Sequence, residues 1–176
     1  MKTFTNTMLI IVLITVAGCI TKKTKAPEVD LFTAVVTDNL EAVQAHIKAG
    51  SDLNVKEPTR ASTPLITAAL LGKTRIALAL IDAGADLNYQ NSEGSTALIT
   101  AAFFCRENIV RTLLDKGADK TLKNRAGHTA LESVSRPFEE VKAVYDGLGT
   151  ALEPLGLKLD YEHIKATRPV IVEMLR

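Results

Sequence analysis

The sequence predicts an all-α fold in which short helix-turn-helix units stack side by side into a solenoid. Two series of motifs recur with one shared period. The first series, spaced 33 and 33 residues apart, consists of Thr63-Pro64-Leu65, Thr96-Ala97-Leu98 and Thr129-Ala130-Leu131. The second, whose glycines are 34 and 33 residues apart, consists of Gly50-Ser51-Asp52, Gly84-Ala85-Asp86 and Gly117-Ala118-Asp119. A period of this length is typical of supersecondary units that bury their apolar faces by stacking.

Each element of the unit has a local reason in the sequence. A Thr at the start of the first motif can cap a helix, and Pro64 suits the first helical turn. Pairs of alanines at 68–69 and 101–102 permit two helices to approach closely. A second helix is predicted where apolar residues recur at helical spacing, as in 76–81. The glycine after it suits a left-handed helix end.

This combination of period and motifs resembles the ankyrin repeat, a helix-turn-helix unit joined to the next by a short hairpin loop. The resemblance implies about four repeats over residues 29–135, followed by a divergent last repeat and C-terminal capping helices over residues 136–176. Two features depart from the family pattern. Ile66 and Ile99 stand where the family has a His, and Cys105 replaces the Gly of the turn between the helices.

The last forty residues follow the pattern less closely. Arg136-Pro137 falls where the interior of a repeat is expected, and Glu139–Leu148 has the apolar spacing of a helix. Residues 150–160 show little periodicity. Tyr161–Ala166 and Pro169–Leu175 are predicted to be a final pair of helices, because a terminal unit must close the stack toward water.

The first 18 residues are typical of a secretory signal peptide. Met8–Ile20 carries no charge, but its 13 residues are too few to cross a bilayer, which takes about 20. Val16-Ala17-Gly18-Cys19 resembles the lipobox of bacterial lipoproteins. That resemblance implies cleavage before Cys19, a lipid on Cys19, and residues 19–28 as a linker. Ile20 after the Cys, rather than Asp, implies the outer membrane, facing the periplasm.

Residues with catalytic or ligand-binding chemistry are scattered rather than clustered. The three histidines, His46, His128 and His163, lie in different units without a second metal ligand at a suitable spacing. Cys105 has no catalytic signature nearby, and we expect a free thiol that is half-buried at the turn of the third unit. The formal net charge of +1 does not predict a nucleic-acid partner. We therefore expect no enzyme, cofactor, metal or small-molecule substrate.

The resemblance to ankyrin repeats implies that a partner protein binds on the concave side of the stack. In register, the two positions after each alanine pair hold large apolar residues, and contiguous apolar patches mark interaction sites. We expect at least two of these four to be exposed: Leu70, Leu71, Phe103 and Phe104. A polar rim on the hairpin tips is expected from Arg60, Glu93, Arg125 and His128.

Two functions fit these expectations. The first is an adaptor or accessory factor of the bacterial envelope that binds a periplasmic client protein. The second is an immunity protein that neutralises a toxin acting in the periplasm, such as a phospholipase effector. The sequence does not choose between them, and both require a protein partner and a membrane anchor through Cys19.

Overall fold

The computed structural model describes residues 27–176, so the predicted signal peptide and Cys19 lie outside the described residues. Within this range the chain forms nine α-helices. They are α1 (Leu31–Val36), α2 (Leu40–Ala49), α3 (Pro64–Leu71), α4 (Thr74–Asp82), α5 (Ala97–Phe103), α6 (Glu107–Asp115), α7 (Ala130–Ser135), α8 (Phe138–Leu152) and α9 (Tyr161–Leu175). None of these helices is both long and apolar enough to cross a membrane.

The helices form a solenoid of four stacked pairs. The first helices of the pairs, α1, α3, α5 and α7, pack in that order as an inner layer. The second helices, α2, α4, α6 and α9, pack in the same order as an outer layer. The predicted all-α repeat fold is therefore confirmed, with one addition. Helix α8 is inserted between the two helices of the fourth pair.

The repeated threonines begin the inner helices as predicted. The side chains of Thr63, Thr96 and Thr129 each accept a hydrogen bond from the backbone N–H three residues later. Each cap satisfies one of the helix's free N–H groups, which contributes about 1 kcal/mol. The alanine pairs of α3 and α5 are completely buried, which allows these two helices to pack closely.

Asparagine side chains connect successive hairpin loops. Asn54 Oδ1 accepts from the backbone N–H of Asp86 at 2.9 Å, and Asn88 Oδ1 accepts from that of Asp119 at 2.8 Å. Each repeated aspartate instead accepts from the backbone N–H two residues later and so shapes its own loop. The aspartates that recur with the period are therefore scaffold residues.

The turn between the two helices of a pair has a left-handed residue in the first three units. Asp38, Gly72 and Cys105 occupy it with φ of 57°, 69° and 54°. Cys105 holds a conformation that favours glycine, at a cost on the order of 1 kcal/mol. In the fourth unit Phe138 stands in register with these residues and begins α8 instead. The departure from the repeat therefore starts at this turn.

Helix α8 is attached to the stack through Tyr145, whose side chain is completely buried. The Tyr145 ring stacks on Phe103 with centroids 4.5 Å apart, and Phe138 stacks on Tyr145 at 5.8 Å. The Tyr145 hydroxyl donates to the backbone carbonyl of Phe103, at the end of α5. It also accepts from Arg168 Nη1 of α9 at 3.0 Å. One side chain thus joins three helices.

The prediction of two short helices at the C-terminus is wrong, because Tyr161–Leu175 is one helix with Pro169 inside it. Proline cannot donate to the carbonyl four residues earlier, which here belongs to Lys165. Lys165 is exposed, so water can take the place of that donor. The helix also buries Ile164, Ile171 and Leu175 on one side, and this packing keeps it continuous.

Cys105 is buried more deeply than predicted, with 1% of its surface exposed. Its thiol points away from solvent and lies 3.6 Å from the backbone carbonyl oxygen of Ile164 in α9. Burial raises the pKa of the Cys105 thiol to about 11, although Arg168 and Arg106 lower it in part. The expected half-burial is therefore wrong, because α9 covers the turn that an ordinary repeat would leave open.

We expect the Cys105 thiol to resist alkylation in the folded protein. In a Cys19→Ser chain Cys105 is the only cysteine, and at pH 8 almost none of it is the reactive thiolate. Labelling by iodoacetamide, followed by mass spectrometry, should be at least about 100-fold slower in buffer than in guanidinium chloride. Equal rates in the two conditions would contradict the burial of this side chain.

Candidate functional site: an apolar cavity on the concave face

The concave side of the stack carries a cavity of about 220 Å³ between the inner helices, the hairpin loops and α8. Inner helices supply its floor, three consecutive hairpin loops form one edge, and α8 forms the opposite edge. The side chains that matter here are Ile66 and Leu70 from α3, Ile99 and Phe103 from α5, Val144 and Leu148 from α8, and Arg60 and Glu93 from the loops.

The floor of the cavity follows from helix geometry. Ile66 and Leu70 are four residues apart in α3, and Ile99 and Phe103 are four residues apart in α5, so each pair lies on one face of its helix. The two pairs are one repeat apart and therefore lie side by side in the inner layer. Two isoleucines at the third helical position thus provide apolar surface where the family has a His.

Helix α8 makes this surface a cavity rather than an open groove. Val144 and Leu148 are four residues apart and reach the cavity from the side opposite the hairpin loops. Val144 is 49% exposed, while its neighbour Tyr145 is anchored under it. The position of this wall is therefore set by the buried contacts of Tyr145.

The polar rim is organised by bonds between consecutive hairpin loops. Arg60 pairs with Glu93 through its guanidinium, including an Nε–H bond of 3.0 Å. The backbone N–H of Ser92 donates to the Arg60 carbonyl, and that of Arg125 donates to the Glu93 carbonyl. Because both charged side chains are partly exposed, the ion pair adds little stability. It places one positive and one negative group at the mouth of an apolar cavity.

A second arginine lies beneath the floor. The Arg106 guanidinium packs against Gly72, and its Nη2 lies 3.4 Å from the Leu70 carbonyl oxygen. Its buried Nε has no hydrogen-bond partner among the described residues. Burial lowers the pKa of the Arg106 guanidinium, because the charged form is the one that loses hydration. A side chain at residue 72 would displace this guanidinium, which explains the glycine there.

The structure brings together five of the eight residues predicted to contact a partner. Leu70, Phe103, Phe104, Arg60 and Glu93 all line the cavity. Leu71, Arg125 and His128 do not line it. Leu71 is the last residue of α3, about 100° around the helix from Leu70, and this rotation turns it into the interior.

The expected exposure of the four large apolar residues is wrong. Leu71 and Phe104 are 7% and 4% exposed, and Leu70 and Phe103 are half-buried. Phe104 lies edge-on to Phe103 and near the Tyr145 ring, because α8 covers the end of α5. The role of these residues in binding a partner stays a prediction, and the accessible part of the patch is smaller than expected.

Sequence reasoning did not assign Ile66, Ile99, Val144 and Leu148 to the site. A signal for the isoleucines was present, since their spacing to Leu70 and Phe103 is four residues in both units. Val144 and Leu148 were visible as part of an apolar helix face. No local signal places that helix over the concave side, because its position depends on Tyr145 contacts distant in sequence.

The cavity offers shape and apolar surface rather than reactive groups. Its lining residues contain one ion pair, hydroxyls and amides, together with aliphatic and aromatic side chains. Within residues 27–176 no three His, Cys, Asp or Glu side chains are grouped as metal ligands. Such a lining is suited to holding an apolar side chain under a polar rim.

A matched pair of neighbouring leucines tests this assignment. Leu71→Ala should lower the free energy of unfolding by about 2–5 kcal/mol through lost burial and a cavity. Leu70→Ala, in the same helix with the same propensity change, should lower it by about 1 kcal/mol. Urea denaturation followed by circular dichroism measures both. Losses of equal size would show that Leu70 belongs to the packed interior.

Comparison with known proteins agrees with this architecture. A search of curated proteins finds no match to this chain. The family model for ankyrin repeats matches residues 31–124 with three copies, which is more than half of the chain. Ankyrin repeats are protein–protein interaction modules and are typically non-enzymatic. The matched residues end before α7, so the fourth helix pair and its insertion lie beyond them. The chain belongs to the ankyrin repeat family.

Proposed function

We propose that this protein binds a partner protein through the concave cavity, and that it does so while anchored to the bacterial envelope by a lipid on Cys19. The observation that supports binding at this place is the apolar cavity under a charged rim, bounded by α3, α5 and α8. Among the described residues, the large apolar side chains that are most exposed outside this cavity stand singly on different segments.

The size of the cavity favours a polypeptide ligand. Sites for drug-sized molecules have volumes of about 300–1,000 Å³. A volume of about 220 Å³ suits one or two apolar side chains projecting from a partner's backbone. Aromatic and aliphatic side chains that fill such pockets dominate the energetics of protein interfaces.

The rim is suited to the partner's backbone rather than to a strongly charged ligand. Arg60 and Glu93 neutralise each other, and the nearby Ser62, Asn91 and Asn124 add neutral donors and acceptors. Peptide groups present donors and acceptors in equal number, so a rim that is mixed and neutral overall matches them. We therefore expect the partner segment to carry apolar residues without a run of like charges.

A charge at the cavity wall should weaken binding of the partner without unfolding the protein. Val144→Lys places an ammonium beside the apolar floor, and the affinity for the partner should fall at least about 10-fold. Val170→Lys is the matched control, because Val170 is 43% exposed on α9 and does not line the cavity. Co-purification from the native cells, with circular dichroism of each variant, measures the outcome. Recovery of the same partner with Val144→Lys would place the interface elsewhere.

The proposed anchor rests on the lipobox-like Val16-Ala17-Gly18-Cys19. Two or more acyl chains on one cysteine would hold the protein on a membrane stably, whereas one chain holds it only marginally. Just before α1, His46 Nε2 donates a hydrogen bond to the Val29 carbonyl at 2.8 Å.

Replacing Cys19 tests the anchor. Cys19→Ser removes the sulfur that would carry the thioether-linked lipid, so the protein should leave the membrane fraction or remain as the uncleaved precursor. Mass spectrometry of the wild-type N-terminal peptide should show a lipid on Cys19. Membrane-bound wild-type protein with an unmodified Cys19 would overturn the lipoprotein proposal while leaving the proposal for the cavity intact.

The finer role that we propose is that of an adaptor or accessory factor for a periplasmic client. Domain boundaries follow from the same proposal: a signal peptide over residues 1–18, a lipidated linker over 19–28, repeats over 29–135 and a divergent end over 136–176. The partner recovered in the Val144 experiment decides the role. A periplasmic client protein supports it, whereas a secreted lipase would favour an immunity function instead.

A further inference from the structure

A second groove lies at the far end of the stack, where the α7–α8 junction meets α9. It has a volume of about 420 Å³ and is separate from the concave cavity. Apolar and charged residues line it in equal number, and only one of the charged groups, an arginine, is nine-tenths buried. The residues used here are Val134, Pro137 and Phe138 on one side, with Arg168, Pro169 and Val172 on the other.

Arg168 is the distinctive feature of this groove. It is 6% exposed, and its guanidinium donates to the Tyr145 hydroxyl and to the backbone carbonyl of Arg136. No carboxylate of the described residues lies within 4.0 Å of its nitrogens. Both partners are neutral, so the positive charge of Arg168 has no counter-charge in direct contact.

The other cations at the groove differ from Arg168 in this respect. Arg136 pairs with Glu140, Lys165 with Glu139 and Glu162, and Arg176 with Glu173. These side chains are 42% exposed or more, and exposed pairs exchange easily and contribute little. An anion that enters the groove would therefore meet its one uncompensated charge at Arg168.

Burying a charge without a counter-charge costs free energy, and a carboxylate is the group that offsets this cost best for arginine. A guanidinium has five N–H donors in a planar fork that matches the two oxygens of a carboxylate. Two nitrogens of Arg168 already donate hydrogen bonds to protein oxygens, and the side chain still lines the groove. The site is thus built to fix the guanidinium in place before a ligand arrives.

We propose that this groove binds a carboxylate attached to a small aliphatic group, with Arg168 as its anchor. The carboxylate lies against the guanidinium, and the aliphatic part packs on Phe138, Pro169 and Val172. Inorganic anions are expected to bind less well, because they would leave these apolar walls in contact with a hydrated ion. A free short-chain acid and the C-terminal residue of a polypeptide both supply this chemistry.

Titration of the full chain with defined probes tests the proposal. The probes are isovalerate, N-acetyl-valine, which mimics a C-terminal residue, and isovaleramide, which lacks the charge. Both carboxylates should shift the Arg168 Nε–H resonance in NMR spectra in a saturable way, with Kd on the order of 1 mM. Isovaleramide should not. Tighter binding of N-acetyl-valine identifies a polypeptide terminus as the source, and equal binding identifies a free acid.

A variant that supplies a carboxylate from within the chain provides the decisive comparison. Val172→Glu places a carboxylate four residues after Arg168 on the same helix, within reach of its guanidinium. It should occupy the site from within the chain and weaken isovalerate binding at least about 10-fold. Val170→Glu, on the exposed face of α9, should leave binding unchanged.

Two results would overturn the proposal. One is an Arg168 resonance that does not respond to either carboxylate in the folded wild-type chain. The other is a response of the same size in the Val172→Glu chain as in the wild type, which would show that the ions act elsewhere. Either result would leave Arg168 as a purely structural link between α7, α8 and α9.

Discussion

The buried side chain of Tyr145 is the contact on which the distinctive part of this structure depends. In the fourth pair the outer helix, α9, does not follow α7 directly, because α8 is inserted between them. Tyr145 makes the insertion possible, because its ring packs on Phe103 while its hydroxyl satisfies the carbonyl at the end of α5.

The insertion of α8 also changes the concave surface of the stack. An open groove discriminates between partners by the chemistry of the residues along it, whereas a groove closed by a wall also discriminates by the size of the side chain that enters. Helix α8 supplies that wall through Val144 and Leu148. The insertion of α8 and the shape of the candidate site therefore depend on the same contacts, because the helix that covers α5 also bounds the cavity over Leu70 and Phe103.

The repeated part of the fold could be predicted because its signals are local and periodic. Thr63, Thr96 and Thr129 cap helices by contacts three residues away, and the left-handed turn residues follow at the same period. The C-terminal region could not be predicted in the same way. Pro169 normally ends a helix, and only the burial of Ile164, Ile171 and Leu175 against α6 and α7 keeps α9 continuous.

The candidate site shows the same division between local and distant causes. The repeat register alone placed Leu70 and Phe103 on the concave side. It also treated Leu71 as equivalent to Leu70, although successive side chains on a helix are rotated by about 100°. A stricter use of the helical period selects Ile66 with Leu70, and Ile99 with Phe103, and these four form the floor. The wall is different in kind. Nothing near Val144 indicates what it faces, because its position is set by Tyr145 through contacts with Phe103 and Arg168, 42 and 23 residues away in the chain.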